Sequence, residues 1–149
     1  MPQGIIVLAV APNFCLAASG TSINSPLVLG ERNVTPNAQI LWDYNAFSRQ
    51  LTLVRTGSHP LVATAPNCGA NTKVVLNEVS SSNPLQQWEL LLAAGGTTID
   101  CVGCPGQCLD VEAAVYKAGT PIILYPRHSG NNQIWNFLSV TQAEVEAAF

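Results

Sequence analysis

The sequence predicts an all-β fold made of three similar units, because three separate signals recur along its 149 residues with a period of about 47. The tryptophans stand at positions 42, 88 and 135, at intervals of 46 and 47 residues. Three related strings, SPLVLGE, TKVVLNE and TPIILYP, follow nearly the same interval. Upstream of them, Leu16, Val62 and Leu109 mark equivalent positions. Agreement among three markers indicates an internal threefold repeat.

Each unit is predicted to contain about four short strands. The strings PLVLGE, KVVLNE and PIILYP are rich in Val, Ile and Leu and are bounded by Gly, Asn, Ser and Pro, which is typical of strands. ILWDY and LTLV flank the hairpin-like connection NAFSRQ, and WELLLAA and TTIDCV flank Gly95 and Gly96, a pair suited to a tight turn because glycine tolerates positive φ. QIWNFLSV closes the third unit. The units are placed at about 4–54, 55–102 and 103–140, and only the tail 141–149 has a helix-like pattern.

Composition favours a single globular domain and excludes several classes of partner. Hydrophobic residues make up 48% and charged residues only 10%, which is opposite to the composition of disordered chains. The net charge is −3 and the six Lys and Arg residues are scattered, so no basic patch is available for nucleic acid or an anionic membrane surface. The apolar stretch GIIVLAVA (4–11) is shorter than the roughly 20 residues of a membrane span and no basic residue precedes it. It is predicted to be a buried first strand.

The five cysteines are odd in number, so they cannot all be paired within one chain. The simplest expectation is free, buried thiols in a reducing compartment, and hence a cytoplasmic protein. Cys101, Cys104 and Cys108 do have a zinc-like spacing, but Cys68 or His59 would have to complete the ligand set. Strand and turn cysteines are favoured over that site, and no metal or cofactor is predicted.

The strings QCLDV, TPIILYP and GNNQIW together resemble one subdomain of the ricin B-chain-type lectins, which are β-trefoils. That family carries a Gln-x-Trp signature once per subdomain. The signature occurs here at residues 86–88 and 133–135, and as a variant with one inserted residue at 39–42. The resemblance covers residues 4–140, and cytosolic mushroom lectins are the most similar type. In such a fold the three indoles would pack around the pseudo-threefold axis as core, rather than serve as sugar platforms.

The resemblance also implies a sugar site in the third unit. A pyranose needs an aromatic face for its C–H side, a carboxylate for neighbouring hydroxyls and an amide as donor and acceptor. Asp110 would grip vicinal hydroxyls, and Tyr125 would stack on the ring. Asn132 would bind a hydroxyl, and Gln133 would support Asp110 or the ligand. His128 would add a contact from the same loop. Structural roles are the alternatives: a turn-capping Asp110, a half-buried strand Tyr125 and a solvated loop His128.

The other two units lack this set, so one site per chain is predicted. The positions that correspond to Asp110, Tyr125 and Asn132 carry Ala17, Gly30 and roughly Ala38 in the first unit, and about Ala63, Asn77 and roughly Pro84 in the second. The disulfide of many secreted members would need partners near Arg127 and Arg32, where no cysteine stands. Ile123 occupies a place that is often polar in the family, which leaves the sugar selectivity open.

The sequence therefore predicts a non-enzymatic lectin that binds glycans ending in galactose or N-acetylgalactosamine. A single site would be weak, with Kd on the order of 1 mM, or roughly −4 kcal/mol. Useful avidity would then require a homodimer or higher oligomer. The alternative is a β-trefoil protease inhibitor or protein-interaction scaffold without sugar binding. An enzyme is disfavoured because no G-x-S-x-G, HExxH or Walker motif occurs.

Overall fold

The computed structural model describes residues 3–54 and 59–149, and it confirms the all-β prediction. The predicted junction of the first two units, at 54 and 55, borders the residues that are not described. Thirteen strands lie in the described ranges: β1 (Gln3–Leu8), β2 (Ala11–Ala18), β3 (Leu27–Glu31), β4 (Trp42–Tyr44), β5 (Leu51–Leu53), β6 (Leu61–Thr64), β7 (Thr72–Lys73), β8 (Val75–Glu78), β9 (Trp88–Ala93), β10 (Gly96–Cys101), β11 (Gln107–Val111), β12 (Ile122–Pro126) and β13 (Trp135–Val140).

Four short 3-10 helices and one α-helix complete the described chain. The 3-10 helices are Asn37–Gln39, Pro84–Gln86, Glu112–Ala114 and Asn131–Gln133. The α-helix α1 (Gln142–Ala148) lies in the tail where the sequence has its helix-like pattern. It begins with a capping box between Thr141 and Glu144, and Val145 packs inward. No helix of the described residues is both long and apolar enough to cross a membrane.

All strand pairings are antiparallel and join the strands into one continuous sheet. The first predicted strand, β1, lies at its centre and pairs with β2, β4 and β13. Its pairing with β13 runs from Gln3 opposite Val140 to Leu8 opposite Trp135, so the two ends of the β-structure close on each other. At the β9–β10 hairpin, only Gly95 of the predicted glycine pair has a positive φ, of 88°, while Gly96 already begins β10.

The threefold repeat is visible in the hydrogen bonds of the three tryptophans. Each indole Nε1 donates to a backbone carbonyl of its own unit: Trp42 to Leu16 at 3.0 Å, Trp88 to Ala63 at 3.0 Å and Trp135 to Leu109 at 3.4 Å. The sequence match of Val62 to Leu16 and Leu109 is therefore wrong by one residue, and Ala63 is the equivalent. The strand register gives the same equivalence. Leu16 is paired with Leu29, Ala63 with Leu76 and Leu109 with Leu124, so the partner is the same type of residue in each unit.

The tryptophans form the centre of the hydrophobic core, as the sequence predicts. All three are at most 1% exposed and pack with the inward-facing Leu, Ile and Val residues of the strands. An indole of this size buries on the order of 200 Å², which corresponds to about 5 kcal/mol of hydrophobic transfer free energy each. None of the three indoles is available as a sugar platform.

A 3-10 helix precedes each tryptophan strand and sets the direction of the signature glutamine. In the second and third units this glutamine is the last residue of the helix, and both Gln86 and Gln133 are buried. In the first unit the inserted residue lets Ile40 and Leu41 fill the interior. Gln39 is then displaced toward the surface, where its amide donates to the Ser19 carbonyl at 3.0 Å. The insertion thus removes the internal amide from the first unit.

The cysteines depart from the expectation that all five are free. Cys68 and Cys104 form a disulfide with a Cα–Cα distance of 5.4 Å, which ties the loop after β6 to the turn between β10 and β11. The prediction failed because a loop of the second unit contacts a turn of the third, and the spacing of the cysteines along the sequence does not reveal this contact. Cys15, Cys101 and Cys108 are free and buried, as expected. With Cys68 and Cys104 bonded to each other, neither can act as a thiolate in the alternative zinc set.

Candidate functional site

The predicted site residues of the third unit meet at one surface depression with a volume of about 320 Å³. Asp110 comes from β11, Tyr125 from β12, His128 from the loop that follows, and Asn132 from the 3-10 helix before β13. The residues that line the depression are Asn71, Asp110, Glu112, Ala113, Ile123, Tyr125, His128 and Asn132. Four of the five predicted residues therefore line it, and the fifth, Gln133, lies behind Asp110.

Asp110 is held at the base of the depression by two amides. Asn132 Nδ2 donates to Oδ1 at 3.0 Å, and Gln133 Nε2 donates to Oδ2 at 2.9 Å. His128 Nε2 lies 3.7 Å from the same Oδ2. Only 2% of Asp110 is exposed, so the two amides hold the carboxylate in one orientation among the lining residues of the depression.

Burial dominates the electrostatics of this carboxylate. Desolvation raises the pKa of Asp110 above its usual value, and the charge of Glu112 adds to the rise. The hydrogen bonds from Gln133 and Asn132 and the nearby His128 act in the opposite direction without cancelling it. Below the site, burial and then the charges of two aspartates raise the pKa of Cys108 to about 12, which keeps this thiol protonated.

Gln133 is entirely occupied by the protein. It is 0% exposed, its Oε1 accepts from the backbone N–H of His128 at 2.8 Å and of Ser129 at 3.1 Å, and its Nε2 donates to Asp110 and to the Pro126 carbonyl at 3.0 Å. Of the two roles that the sequence left open, support of Asp110 and contact with a ligand, this geometry matches the first. Gln133 also fixes the loop that carries His128.

Asn132 has a hydrogen-bonding atom left for a ligand. Its Nδ2 donates to Asp110 and to the Val111 carbonyl at 3.1 Å, which uses both amide hydrogens. Its Oδ1 forms no hydrogen bond within the described parts of the chain and remains an acceptor at the depression.

Tyr125 and His128 form the exposed side of the depression. Tyr125 is 36% exposed, and its ring meets the His128 ring edge to face with centroids 6.1 Å apart. The Gly130 N–H donates to His128 Nδ1 at 3.0 Å, and Ser129 between them has a φ of 60°. His128 is solvent-exposed, as the alternative of a solvated loop histidine predicted. Its ring is nevertheless turned toward Asp110 and Tyr125.

The loop after β12 is anchored by an ion pair at Arg127. Arg127 Nε donates to the buried Asp100 at 2.9 Å, and Thr98 Oγ1 donates to the other oxygen of Asp100 at 2.7 Å. The loop that carries His128 is therefore tied to β10 without a cysteine bridge.

Three lining residues were missed from the sequence. Asn71 belongs to the loop before β7 in the second unit, and its backbone N–H donates to the Leu124 carbonyl at 2.8 Å. Glu112 and Ala113 follow β11 directly, and Ala113 has a φ of 54°. The pairing of β7 with β12 brings Asn71 of the second unit to the site, so the wall of the depression is built from two units. Glu112 could have been found from its position two residues after Asp110.

The second unit keeps the scaffold of the site without its carboxylate. Gln86 Nε2 donates to Thr64 Oγ1 at 3.2 Å and to the Glu78 carbonyl at 2.8 Å, and Gln86 Oε1 accepts from Ser80 N. Thr64, rather than the expected Ala63, therefore replaces Asp110. The 3-10 helices align Asn132 with Leu85 rather than with Pro84.

The first unit has no room for an aromatic platform. Gly30 lies opposite Cys15 as Tyr125 lies opposite Cys108, which confirms this equivalence. A Cβ atom added at Gly30 would come within 2.9 Å of the Ala17 Cβ and 2.8 Å of Thr35 Oγ1. These two side chains therefore occupy the space that a side chain at position 30 would need.

The chain resembles known proteins in its structure rather than in its sequence. No family model matches the sequence, and no curated protein matches it. The designed threefold-symmetric protein ThreeFoil superposes with a TM-score of 0.79 at 20% identity, over 93% of this chain and 99% of its own. The C-terminal half of the earthworm R-type lectin, solved in complex with GalNAc, superposes with a TM-score of 0.72 at 17% identity. The match covers 94% of this chain and 100% of the lectin half. The Rhizoctonia solani agglutinin superposes with a TM-score of 0.72 at 17% identity, and the match covers 93% of this chain and 95% of the agglutinin. These neighbours are ricin B-type β-trefoils, and at such identities they establish the β-trefoil fold of this chain.

Proposed function

We propose that this β-trefoil is a carbohydrate-binding lectin that recognises terminal galactose or N-acetylgalactosamine through one site in its third unit. The observation that carries the proposal is the clamped carboxylate of Asp110 at the base of an open depression, with Asn132 beside it and Tyr125 on the wall. A fixed anionic acceptor next to an aromatic ring matches the two sides of a pyranose, its hydroxyls and its C–H face.

Each side chain has a distinct part in the proposed complex. Asp110 accepts from two neighbouring sugar hydroxyls, and the free Oδ1 of Asn132 accepts from a third. Tyr125 packs on the C–H face of the sugar. His128, at the edge of the Tyr125 ring, restricts the orientations in which the sugar ring can bind. Gln133 acts as a positioning residue, since its hydrogen bonds hold Asp110 and the His128 loop together. These are contacts of binding and orientation, and the proposal includes no catalytic step.

The structural neighbours support the same assignment. The earthworm lectin half was solved with GalNAc, and the Rhizoctonia solani protein is named an agglutinin. One stacked ring and a few hydrogen bonds give a Kd on the order of 1 mM. A homodimer is therefore part of the proposal, because two linked weak sites bind a multivalent surface far better than one.

A glycan array with the wild type and Asp110→Asn tests the proposal. The wild type is expected to bind glycans that end in galactose or GalNAc, and the substitution is expected to weaken binding at least tenfold, because it removes the charged acceptor but keeps the side-chain shape. Leu92→Ala is the control, since Leu92 is 96% exposed on β9 and takes no part in the site. Absence of glycan binding would favour the interaction-scaffold alternative. Unchanged binding by Asp110→Asn would place the sugar elsewhere.

A further inference from the structure

The hairpin between β4 and β5 has a longer connection than the matching hairpin of the second unit. Tyr44 pairs with Leu51, which leaves the six residues 45–50 in the connection. In the second unit the equivalent hairpin also begins at a tryptophan strand, yet Ala93 pairs with Gly96 and the turn has only two residues. From Trp42 to its partner Leu53 the first hairpin spans fewer residues than the second does from Trp88 to Cys101, so an irregular connection stands where the second unit continues its paired strands. Such a connection can present side chains to a ligand.

The longer connection is ordered by its own hydrogen bonds. Asn45 Oδ1 accepts from the backbone N–H of Phe47 at 2.9 Å and of Ser48 at 3.2 Å. Asn45 N donates to the Gln50 carbonyl at 3.0 Å, and Trp88 N donates to the Arg49 carbonyl at 2.7 Å. This framework holds Phe47 at the tip with 98% of its surface exposed. Burial in the core therefore does not explain why an aromatic residue stands here.

Phe47 stands at the edge of a wide depression with a volume of about 550 Å³. Among the described residues of the lining, Val79 is the only other apolar one. The remaining side chains are uncharged hydroxyls and amides, among them Ser48, Gln50, Ser81 and Gln87. A protein partner that docks by hydrophobic burial would meet little apolar surface here. No charged side chain belongs to the described lining, and the neighbouring Arg49 and Glu89 pair with each other at 3.6 Å. An aromatic face next to uncharged donors and acceptors fits a neutral saccharide.

We propose that Phe47 and this depression form a second saccharide-binding site, separate from the one at Asp110. The ring of Phe47 packs on the C–H face of a neutral pyranose, and the surrounding hydroxyl and amide groups exchange hydrogen bonds with its hydroxyls. The two sites share no residue, so each binds in the absence of the other. A single chain would then be bivalent, and a homodimer would carry four sugar sites instead of two.

Amide chemical-shift mapping on ¹⁵N-labelled protein tests this site directly. Galactose, GalNAc, glucose, GlcNAc and mannose are titrated separately into the wild type, Phe47→Ala, Phe47→Tyr and Asp110→Asn. We expect at least one of these sugars to shift the amides of residues 45–50 and 81–87 in the wild type and in Asp110→Asn. Phe47→Ala should weaken that response at least tenfold, and Phe47→Tyr should retain it. Because Phe47 is exposed, its variants should unfold at the wild-type midpoint.

The possible outcomes separate this inference from the proposed function. Shifts near residues 108–133 alone would overturn the second site and leave the Asp110 site intact. Shifts at residues 45–50 that persist in Phe47→Ala, or that vanish in Asp110→Asn, would also overturn it. If these amides instead shift with protein concentration in the absence of sugar, and Phe47→Ala abolishes that shift, then the loop is a self-association surface and the inference is wrong.

Discussion

Gln133 donates from a fully buried position to the carboxylate of Asp110 at 2.9 Å, and this one hydrogen bond joins the β-trefoil core to the candidate site. The glutamine belongs to the signature that precedes each core tryptophan strand. In the second unit the equivalent Gln86 donates to the hydroxyl of Thr64 at 3.2 Å. The fold thus supplies a buried amide in the second and third units, and the residue that faces this amide determines whether a carboxylate lies at the base of the depression.

This equivalence predicts different effects for two matched substitutions. Gln133→Ala and Gln86→Ala each remove a buried amide with backbone partners, so each should lower the free energy of unfolding by about 1–3 kcal/mol in urea titrations. Gln133→Ala should also weaken sugar binding, because Asp110 and the His128 loop lose their common anchor. Gln86→Ala should leave binding at the wild-type level in calorimetric titration. Equal loss of affinity in both variants would mean that Gln133 acts only through overall stability.

The raised pKa of Asp110 predicts that sugar binding is lost on acidification, at a higher pH than for a site with an ordinary aspartate. The carboxylate must be ionised to accept from two hydroxyls, and burial makes it protonate at a higher pH than an ordinary aspartate, whose value is 3.8. Affinity should therefore fall as the pH is lowered through this raised pKa. Glu112→Gln removes a charge that contributes to the rise, so it should shift the loss of binding to lower pH. Affinity measured from neutral to acidic pH for both proteins checks this.

Stability should show the opposite pH dependence. The folded state holds the proton of Asp110 more tightly than the unfolded state, so the contribution of Asp110 to stability is greatest when the group is protonated and decreases as the pH rises from 3.8 through the raised pKa. The free energy of unfolding of the wild type relative to Asp110→Asn should decrease over that window. An increase over the same window would contradict the assigned direction of the shift.

The sequence was sufficient for the fold because the pattern that defines it is repeated. Three tryptophans at one interval predict three equivalent core positions, and all three indoles are buried with the same type of hydrogen bond. Tyr125, Asn77 and Gly30 were also aligned correctly. Errors of one residue arose at Ala63 and Thr64, where the second unit has no Cys-Leu pair to fix the register.

Contacts between units could not be predicted in this way. Asn71 reaches the third-unit site from the second unit, and Cys68 meets Cys104 across a similar boundary. Both contacts depend on how neighbouring units pack against each other. Aligning the sequences of the three units shows which positions are equivalent but not which residues of different units touch. The odd number of cysteines excluded complete pairing but did not exclude one disulfide.

The cysteines should differ sharply in reactivity. Cys15, Cys101 and Cys108 are buried, and burial raises the pKa of Cys15 to about 11 and of Cys108 to about 12, so few thiolates form at pH 8. Iodoacetamide should label none of them in the native protein, as read by mass spectrometry. After mild reduction the exposed Cys68 should become labelled.

Removal of the disulfide should destabilise the protein. Cys68→Ser opens a loop with a sequence separation of 36, and we expect a loss of roughly 2–4 kcal/mol in the free energy of unfolding. Cys15→Ser is a control for the loss of a thiol alone, although it places a hydroxyl in the core. Unchanged stability of Cys68→Ser, with Cys68 labelled before reduction, would show that the disulfide does not form.

The three tryptophans offer a matched series that tests the threefold core. Substitution by Phe removes the indole N–H from a buried strand carbonyl and leaves a small cavity, so each variant should lose about 1–3 kcal/mol of unfolding free energy. Trp42 and Trp88 donate at 3.0 Å and Trp135 at 3.4 Å, so Trp135→Phe should lose least through the hydrogen bond. Urea titrations of the three variants give the ranking. Because none of the indoles is exposed, Trp42→Phe and Trp88→Phe should still bind sugar at the Asp110 site. If either variant instead loses sugar binding while keeping the wild-type stability, its indole contacts the ligand and does not belong to the core.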